Sequence, residues 1–341
     1  MTSPVLTYVD PSIDADSGAG TSGDPYGDLQ YALDTMSQGA TGRGDQINIK
    51  AGSTELLTSE LSLSGYGTPS FNKPLIFRGY TSTAGDGGVG VVSGDDDYAI
   101  MAGSNDGVHF INCKLMSCGS TTILTLGRES SVCDCELTDT SASGVIFDDR
   151  YQCLRNHIHS CGYNGIKIKN NGLCAWNYLA NGEDSFTNAI HYWGNSGGNI
   201  ENNIISISGA SKGIWINAAA NSIAIIGNSI LADTGTASGI LRSSNGAGTM
   251  LLNNLVEGFS GVGGVGINTE IGNWTDSVVG NNAVYNCSTP YDLQDEVAYA
   301  VGDNESLGAS PFAKSGADTF ANRHVYFAPA DTGNVHGGAF Q

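Results

Sequence analysis

Lysine, histidine and tryptophan recur at equivalent places in successive short runs of one shape. The runs read Gly165-Ile-Lys-Ile-Lys169, Ala189-Ile-His-Tyr-Trp193 and Gly213-Ile-Trp-Ile-Asn217, flanked by Gly144-Val-Ile-Phe-Asp148 and Gly239-Ile-Leu-Arg-Ser243. Strand side chains alternate between two sides, so Val145/Phe147, Ile166/Ile168, Ile190/Tyr192 and Ile214/Ile216 turn inward. Two outward columns remain. One holds Ile146, Lys167, His191, Trp215 and Leu241, and its neighbour holds Asp148, Lys169, Trp193, Asn217 and Ser243. Indole faces stack on the CH surfaces of sugars, while Asn and Lys bond hydroxyls or carboxylates. Lys169, Trp193, Trp215 and Asn217 are therefore the predicted ligand-binding residues, for a carbohydrate, and the lysines suit a uronic sugar. The same face could instead seat a C-terminal tail or a neighbouring subunit.

Catalysis on this face would fall to Asp148, Lys167 and His191. A glycosidase needs two carboxyl groups about 5–9.5 Å apart. Asp148 and Asp149 are adjacent on a strand and point apart, so Glu183 or Asp184 would have to supply the second. A lyase would use Lys167 or His191 as base, with a cation neutralising the substrate carboxylate. His157-Ile-His159 sets two imidazoles on one side of a strand, a metal-ligand spacing. No third ligand is visible in the sequence, and a solvated turn is the expectation there. Asp14-Ala-Asp16-Ser-Gly18 lacks the distal glutamate of a calcium loop, and Asp95-Asp-Asp97 reads as a solvated turn. No metal and no cofactor is predicted.

These columns require a repeating scaffold, and the sequence carries one. Runs such as Cys133-Asp-Cys135-Glu-Leu137, Asn202-Asn203-Ile-Ile205 and Asn253-Asn254-Leu-Val256 share a slot two residues before an aliphatic side chain. Its occupants are Cys113, Cys135, Asn156, Asn177, Asn203, Asn228, Asn254 and Asn282, spaced by 21 to 28 residues. In a parallel stack about 4.8 Å per coil, equivalent side chains lie over one another. An inward Asn can then bond the next coil, which avoids a cost of about 1–3 kcal/mol for an unsatisfied buried group. Cys fills the same slot as a small buried hydrophobe. The eight cysteines thus read as stacked thiols rather than a disulfide framework.

Less regular coils precede these, at Ile47-Asn-Ile49, Leu61-Ser-Leu63, Leu75-Ile-Phe77, Val89-Gly-Val91 and Tyr98-Ala-Ile100. Gly263-Gly-Val-Gly-Ile267 continues the second strand in uncertain register, and Arg242 predicts an end or bulge in its strand. Leu29, Ala32, Leu33 and Met36 share one helical face. A short helix there would cover the open end of the stack. The fold class predicted is all-β, a single-stranded right-handed parallel β-helix with a short N-terminal capping helix. The expected boundaries are 1–46 for the N-terminal segment and helix, 47–300 for the β-helix and 301–341 for a C-terminal cap or tail.

Composition agrees with short strands and frequent turns. Of 341 residues 48 are Gly, 40% are hydrophobic and 14% charged. The formal net charge of −20 argues against a nucleic-acid partner, which needs a Lys/Arg footprint. No run of 18 apolar residues exists for a membrane span, and no basic-then-apolar leader is visible at the start.

The helix-to-first-coil segment (Leu29 to Met36, then Gly44-Asp-Gln-Ile-Asn-Ile-Lys-Ala-Gly52), Phe77-Arg-Gly-Tyr80 and the Gly-Ile-x-Ile and Asn-x-Ile coils resemble the pectin-lyase-like right-handed β-helix superfamily. The resemblance spans nearly the whole chain and implies the fold. That superfamily includes pectate lyases, polygalacturonases, alginate epimerases and bacteriophage tailspikes. Of the polygalacturonase motifs only Asp148-Asp149 is present. Asn164 precedes Gly165-Ile where a Gly-His-Gly motif would be sought, and the epimerase Asp-Pro-His-Glu motif is missing. Fold membership does not transfer catalytic residues. The resemblance, with thiols compatible with cytosolic assembly, implies a non-catalytic phage virion protein, capsid-decorating or tailspike-like and possibly glycan-binding. Its partners would be other virion proteins or its own copies, as a homotrimer, and polysaccharide. The alternative is an extracellular polysaccharide lyase, glycoside hydrolase or epimerase.

Overall fold

Each coil is built around aliphatic side chains that leave the strand inward while a polar residue turns the corner. A computed structural model describes residues 5–13, 18–36, 44–181, 186–217, 222–244, 247–269, 277–293, 299–300 and 305–307. They fall into two compact units, Met1–Cys161 and Gly162–Gln341. The fold is a right-handed parallel β-helix, made of three parallel sheets.

In the first unit, the first sheet runs Leu6–Val9, Asp45–Lys50, Leu75–Tyr80, Val108–Ile111, Ser131–Cys133 and Gln152–Leu154. The second runs Thr54–Leu56, Gly90–Ser93, Cys113–Met116, Glu136–Leu137 and His157–His159, and the third Met101–Asn105, Leu124–Leu126 and Val145–Asp149. Inside, Phe77 and Phe110 stack with centroids 4.7 Å apart. The strand Leu6–Val9, which the sequence pattern did not reveal, pairs in parallel with Asp45–Lys50.

The helix Leu29–Thr35 starts at Asp28, whose carboxylate accepts the Tyr31 N–H, a capping arrangement. Leu29, Ala32, Leu33 and Met36 are all buried, as their spacing predicts. Leu61-Ser-Leu63 and Tyr98-Ala-Ile100 are corrections, because neither is a strand. Leu61, Leu63 and Ile100 are nevertheless buried, and the Leu61 N–H donates to the Ile100 carbonyl at 3.0 Å. One such bond aligns the two segments without forming a ladder.

In the second unit, the third sheet carries Asn164–Asn170, Asn188–Tyr192, Lys212–Ile216, Ser238–Arg242, Val265–Asn268 and Thr289–Asp292. Register is strict: Ile166, Ile190, Ile214, Ile240 and Ile267 align, which settles the strand near Gly263. Gly213 and Gly239, each second in its strand, are required because the second sheet crowds them. A Cβ on Gly213 would lie 2.8 Å from Ile230 Cγ2, and one on Gly239 2.3 Å from Val256 Cγ1. Arg242 ends its strand without bulging. Its side chain is fully buried, bonded to Thr249 Oγ1 and to the Ser244 carbonyl. It fills the inward slot aligned with Ile216, a placement that its charge concealed.

The asparagine ladder of this unit is continuous. Asn177, Asn203, Asn228 and Asn254 each donate through Nδ2 to the Oδ1 of the next, at 2.9–3.0 Å, ending on Asn282. In the first unit Asn156 Oδ1 accepts the Cys135 N–H at 3.0 Å, and Cys113 and Cys135 are buried in the same slot. The residue before each slot is left-handed: Asn112, Asp134, Arg155, Trp176, Asn202, Gly227, Asn253 and Asn281 have φ between 50° and 70°. An Asn-Asn doublet thus divides the work. The first Asn tolerates the left-handed turn and the second joins the ladder.

Candidate functional site

The outer row of the second unit's third sheet is forced by its inner row. With Ile166, Ile168, Ile190, Tyr192, Ile214 and Ile216 fully buried, alternation sends Lys167, His191 and Trp215 outward. Parallel pairing aligns Lys167 with His191, His191 with Trp215 and Trp215 with Leu241. The predicted column is therefore real from Lys167 onward, although Leu241 at its end is buried.

The face is a set of cations over indoles. Lys167 Nζ lies 4.3 Å and Lys169 Nζ 5.5 Å from the Trp193 ring centre. Lys212 Nζ lies 4.9 Å from the Trp215 ring centre. His191 stacks on Trp215 with centroids 4.4 Å apart and planes 15° apart. Trp215 is held by its Nε1–H, which donates to Ser243 Oγ at 2.8 Å. Trp193, just past its strand, is 40% exposed. Asn217 is exposed one residue beyond its strand, anchored by its N–H to the Tyr192 carbonyl at 2.9 Å.

His191 is the unusual member. It is 5% exposed, and neither ring nitrogen has a hydrogen-bond partner among the described residues. Burial, with Lys167 and Lys212 adding to it, pushes its pKa down to about 4. It is therefore a neutral imidazole near pH 7, with an acceptor nitrogen among cations. Burial also lowers the pKa of Lys167.

Of the predicted catalytic residues, Lys167 and His191 stand on neighbouring strands of the second unit. Asp148 stands half-buried on Val145–Asp149 of the first. Glu183 and Asp184 lie outside the described residues, as do Asp14 and Asp16 and almost all of 301–341. Asp95, Asp96 and Asp97 form the exposed turn expected. Lys212 was missed because the strand pattern was read from Gly213, although it directly precedes that glycine. The histidine pair needs a correction as well. Glu136 lies beside His157 and His159, and one ligand atom from each residue falls within 4.8 Å of the others.

The first unit also has a cleft of about 450 Å³ lined by Phe71, His109, Glu129, Arg150 and Gln152 among others. Within it Arg150 pairs with Glu129 at 2.9 Å and His109 bonds Ser131 at 2.7 Å.

No family model matches the sequence, and no curated protein matches it. Solved structures do match. The pectate lyase Pel9A is 11% identical, with 100% of this chain and 91% of that one covered and a TM-score of 0.53. The catalytic unit of a GH87 alpha-1,3-glucanase from Streptomyces thermodiastaticus is 12% identical over 89% of this chain and 69% of its own, with a TM-score of 0.45. A GH136 lacto-N-biosidase from Eubacterium ramulus is 11% identical over 88% and 67%, with a TM-score of 0.38. The likeness to Pel9A establishes the pectin-lyase-like right-handed parallel β-helix as the class of fold. Among the described residues no helix is long and apolar enough to cross a membrane.

Proposed function

We propose that this protein binds an acidic polysaccharide on the lysine–tryptophan face of its second unit. The observation that carries the reading is the pair of cation-topped indoles, Lys167 and Lys169 over Trp193 and Lys212 over Trp215. An indole offers a flat apolar plate to a sugar ring, and lysines beside it offer charge to a uronate. The placement is selective in a chain with 14 Lys and Arg against 34 Asp and Glu, since three lysines converge on two rings. The buried, neutral His191 backs the Trp215 ring on which it stacks. Pel9A, named a pectate lyase, shares the fold; fold alone does not transfer function, so the reading rests on the face. Nothing in the fold or the comparisons points to a virus particle, and the proposal does not include one.

One observation favours a second reading, a lyase. Burial lowers the pKa of Lys167, the direction an amine needs to abstract a proton near neutral pH. Lys167 would take the proton α to a uronate carboxylate, with Lys169 or Lys212 pairing with that carboxylate; the glycosidic C–O bond at the β-carbon would break to leave a C=C bond, and the departing oxygen would take a proton from water. His191, with a pKa near 4, is a weak base for that task.

Calorimetric titration with oligomers of polygalacturonate and alginate, against neutral dextran, tests the first reading. Binding to an acidic oligomer that weakens in Trp193→Ala and in Lys167→Ala supports it. Equal affinity for dextran, or none for any oligomer, removes it. Ultraviolet absorbance of unsaturated product in the same mixtures tests the second.

A further inference from the structure

We propose that Glu136, His157 and His159 form a zinc-type divalent metal site on the outer face of the first unit's second sheet. This site is independent of the saccharide face. His157 and His159 are two apart on one strand, with Ile158 buried between them, so both imidazoles leave the same side. Their ring centres are 4.4 Å apart. Parallel register sets Glu136 directly opposite His157, which delivers a carboxylate from the preceding coil. Two imidazoles and a carboxylate with an open side are a recurrent zinc ligand set.

The spacing suits an ion. Ligand distances of about 2.0–2.2 Å in a tetrahedral site place donor atoms about 3.3–3.6 Å from one another. His159 Nε2 and Glu136 Oε1 are already 3.2 Å apart, and all three donors lie within 4.8 Å. All three residues are half-buried, so modest side-chain rotation closes the remaining gap.

An independent feature orients His159. The Thr138 hydroxyl donates to Asp139 Oδ1 at 2.9 Å, which turns its lone pairs toward His159 Nδ1 at 3.1 Å. Ser160 Oγ lies 3.2 Å from the same nitrogen, and Nε2 donates to Glu136 Oε1 at 3.2 Å, the hydrogen that an ion would replace. With a metal on Nε2, the Nδ1–H would donate to one of these hydroxyls, the outer-shell contact that orients a metal-bound imidazole. Without an ion, Lys114 pairs with Glu136 Oε1 at 3.0 Å. Lys114 is partly exposed and can turn to solvent when a cation takes its place. The ion would bridge two coils and leave a coordination position open to water.

The test is calorimetric titration of Zn²⁺ into the full chain, with thermal unfolding read in parallel. The variants are His157→Ala, His159→Ala and Glu136→Gln, and a Cys133→Ser/Cys287→Ser control removes the two thiols that are not fully buried. Circular dichroism checks that each variant folds. One equivalent should bind and raise the melting temperature. Each ligand variant should lose at least about tenfold in affinity and the thermal shift, and the cysteine control should lose neither. The proposal is overturned by no binding at millimolar zinc, by binding that survives all three substitutions, or by binding lost in the cysteine control.

Discussion

Asn203 Oδ1 accepts both the backbone N–H and the side-chain Nδ2–H of Asn177, each at 3.0 Å. One oxygen thus serves two buried donors of the coil before it, and Asn203 repeats the pattern on Asn228. Truncating Asn203 to Ala strands several buried groups, and urea unfolding should show a loss of about 3 kcal/mol or more. Asn202, one residue earlier, only supplies a left-handed turn at φ 53°. Asn202→Gly should leave stability within about 0.5 kcal/mol of wild type. Equal losses at the two positions would remove the division of labour.

The stacking of His191 on Trp215 has a pH signature. The folded pKa of about 4 lies below the ordinary 6.5, so the unfolded chain binds the proton more readily. Stability from this group is present in full above about 6.5 and is lost as pH falls through about 4, by about 3 kcal/mol in all. In His191→Gln the urea midpoint should fall less between pH 7 and pH 4 than in wild type. Parallel midpoints for the two proteins would contradict a buried neutral imidazole.

Glu55 carries the opposite sign. Burial raises its pKa from 4.5 to about 7, while its Oε1 accepts the Leu29 N–H at 3.0 Å at the start of the helix. A carboxyl with a raised pKa favours the fold most below 4.5, and that contribution is lost as pH rises through about 7. Glu55→Gln retains the acceptor and cannot ionise. It should gain about 2–3 kcal/mol over wild type at pH 8 and little at pH 4, read from urea unfolding at the two pH values.

The cysteines should divide by burial. Cys113, Cys118, Cys135, Cys153, Cys161 and Cys174 are buried, whereas Cys133 and Cys287 are half-buried, and all are free thiols. Burial pushes the Cys135 thiol well above its usual range and the Cys118 thiol up to about 11. Because the thiolate is the reacting form, an aromatic disulfide reagent should modify at most Cys133 and Cys287 in the native protein. It should reach all eight after denaturation. Rapid native labelling of Cys135 would place that slot outside the core.

The ladder and the Lys167–His191–Trp215 column were legible because period-two alternation and a recurring slot are local patterns. What stayed hidden depended on vertical neighbours. Glu136 joins His157 only through register, yet the alignment of Cys135 with Asn156 already implied that pairing one residue on. The left-handed turns escaped notice because Arg155 and Trp176 occupy them as well as Asn, so residue type does not announce the conformation. Arg242 violated the rule that charge faces water; its inward slot is balanced by Thr249 and the Ser244 carbonyl, contacts with no sequence signature. Leu61 and Leu63 show the converse, an alternating apolar pattern that buries without pairing.

Trp193 tests the saccharide face most directly, because its ring is the exposed plate under Lys167 and Lys169. Calorimetric titration of polygalacturonate oligomers into wild type, Trp193→Ala and Trp176→Ala compares a ring on the face, 40% exposed, with a ring on a turn that is 50% exposed. Trp193→Ala should weaken binding about tenfold, the loss of one stacked ring, while Trp176→Ala leaves affinity unchanged. Identical affinities for all three proteins, or a loss only in Trp176→Ala, would contradict the account.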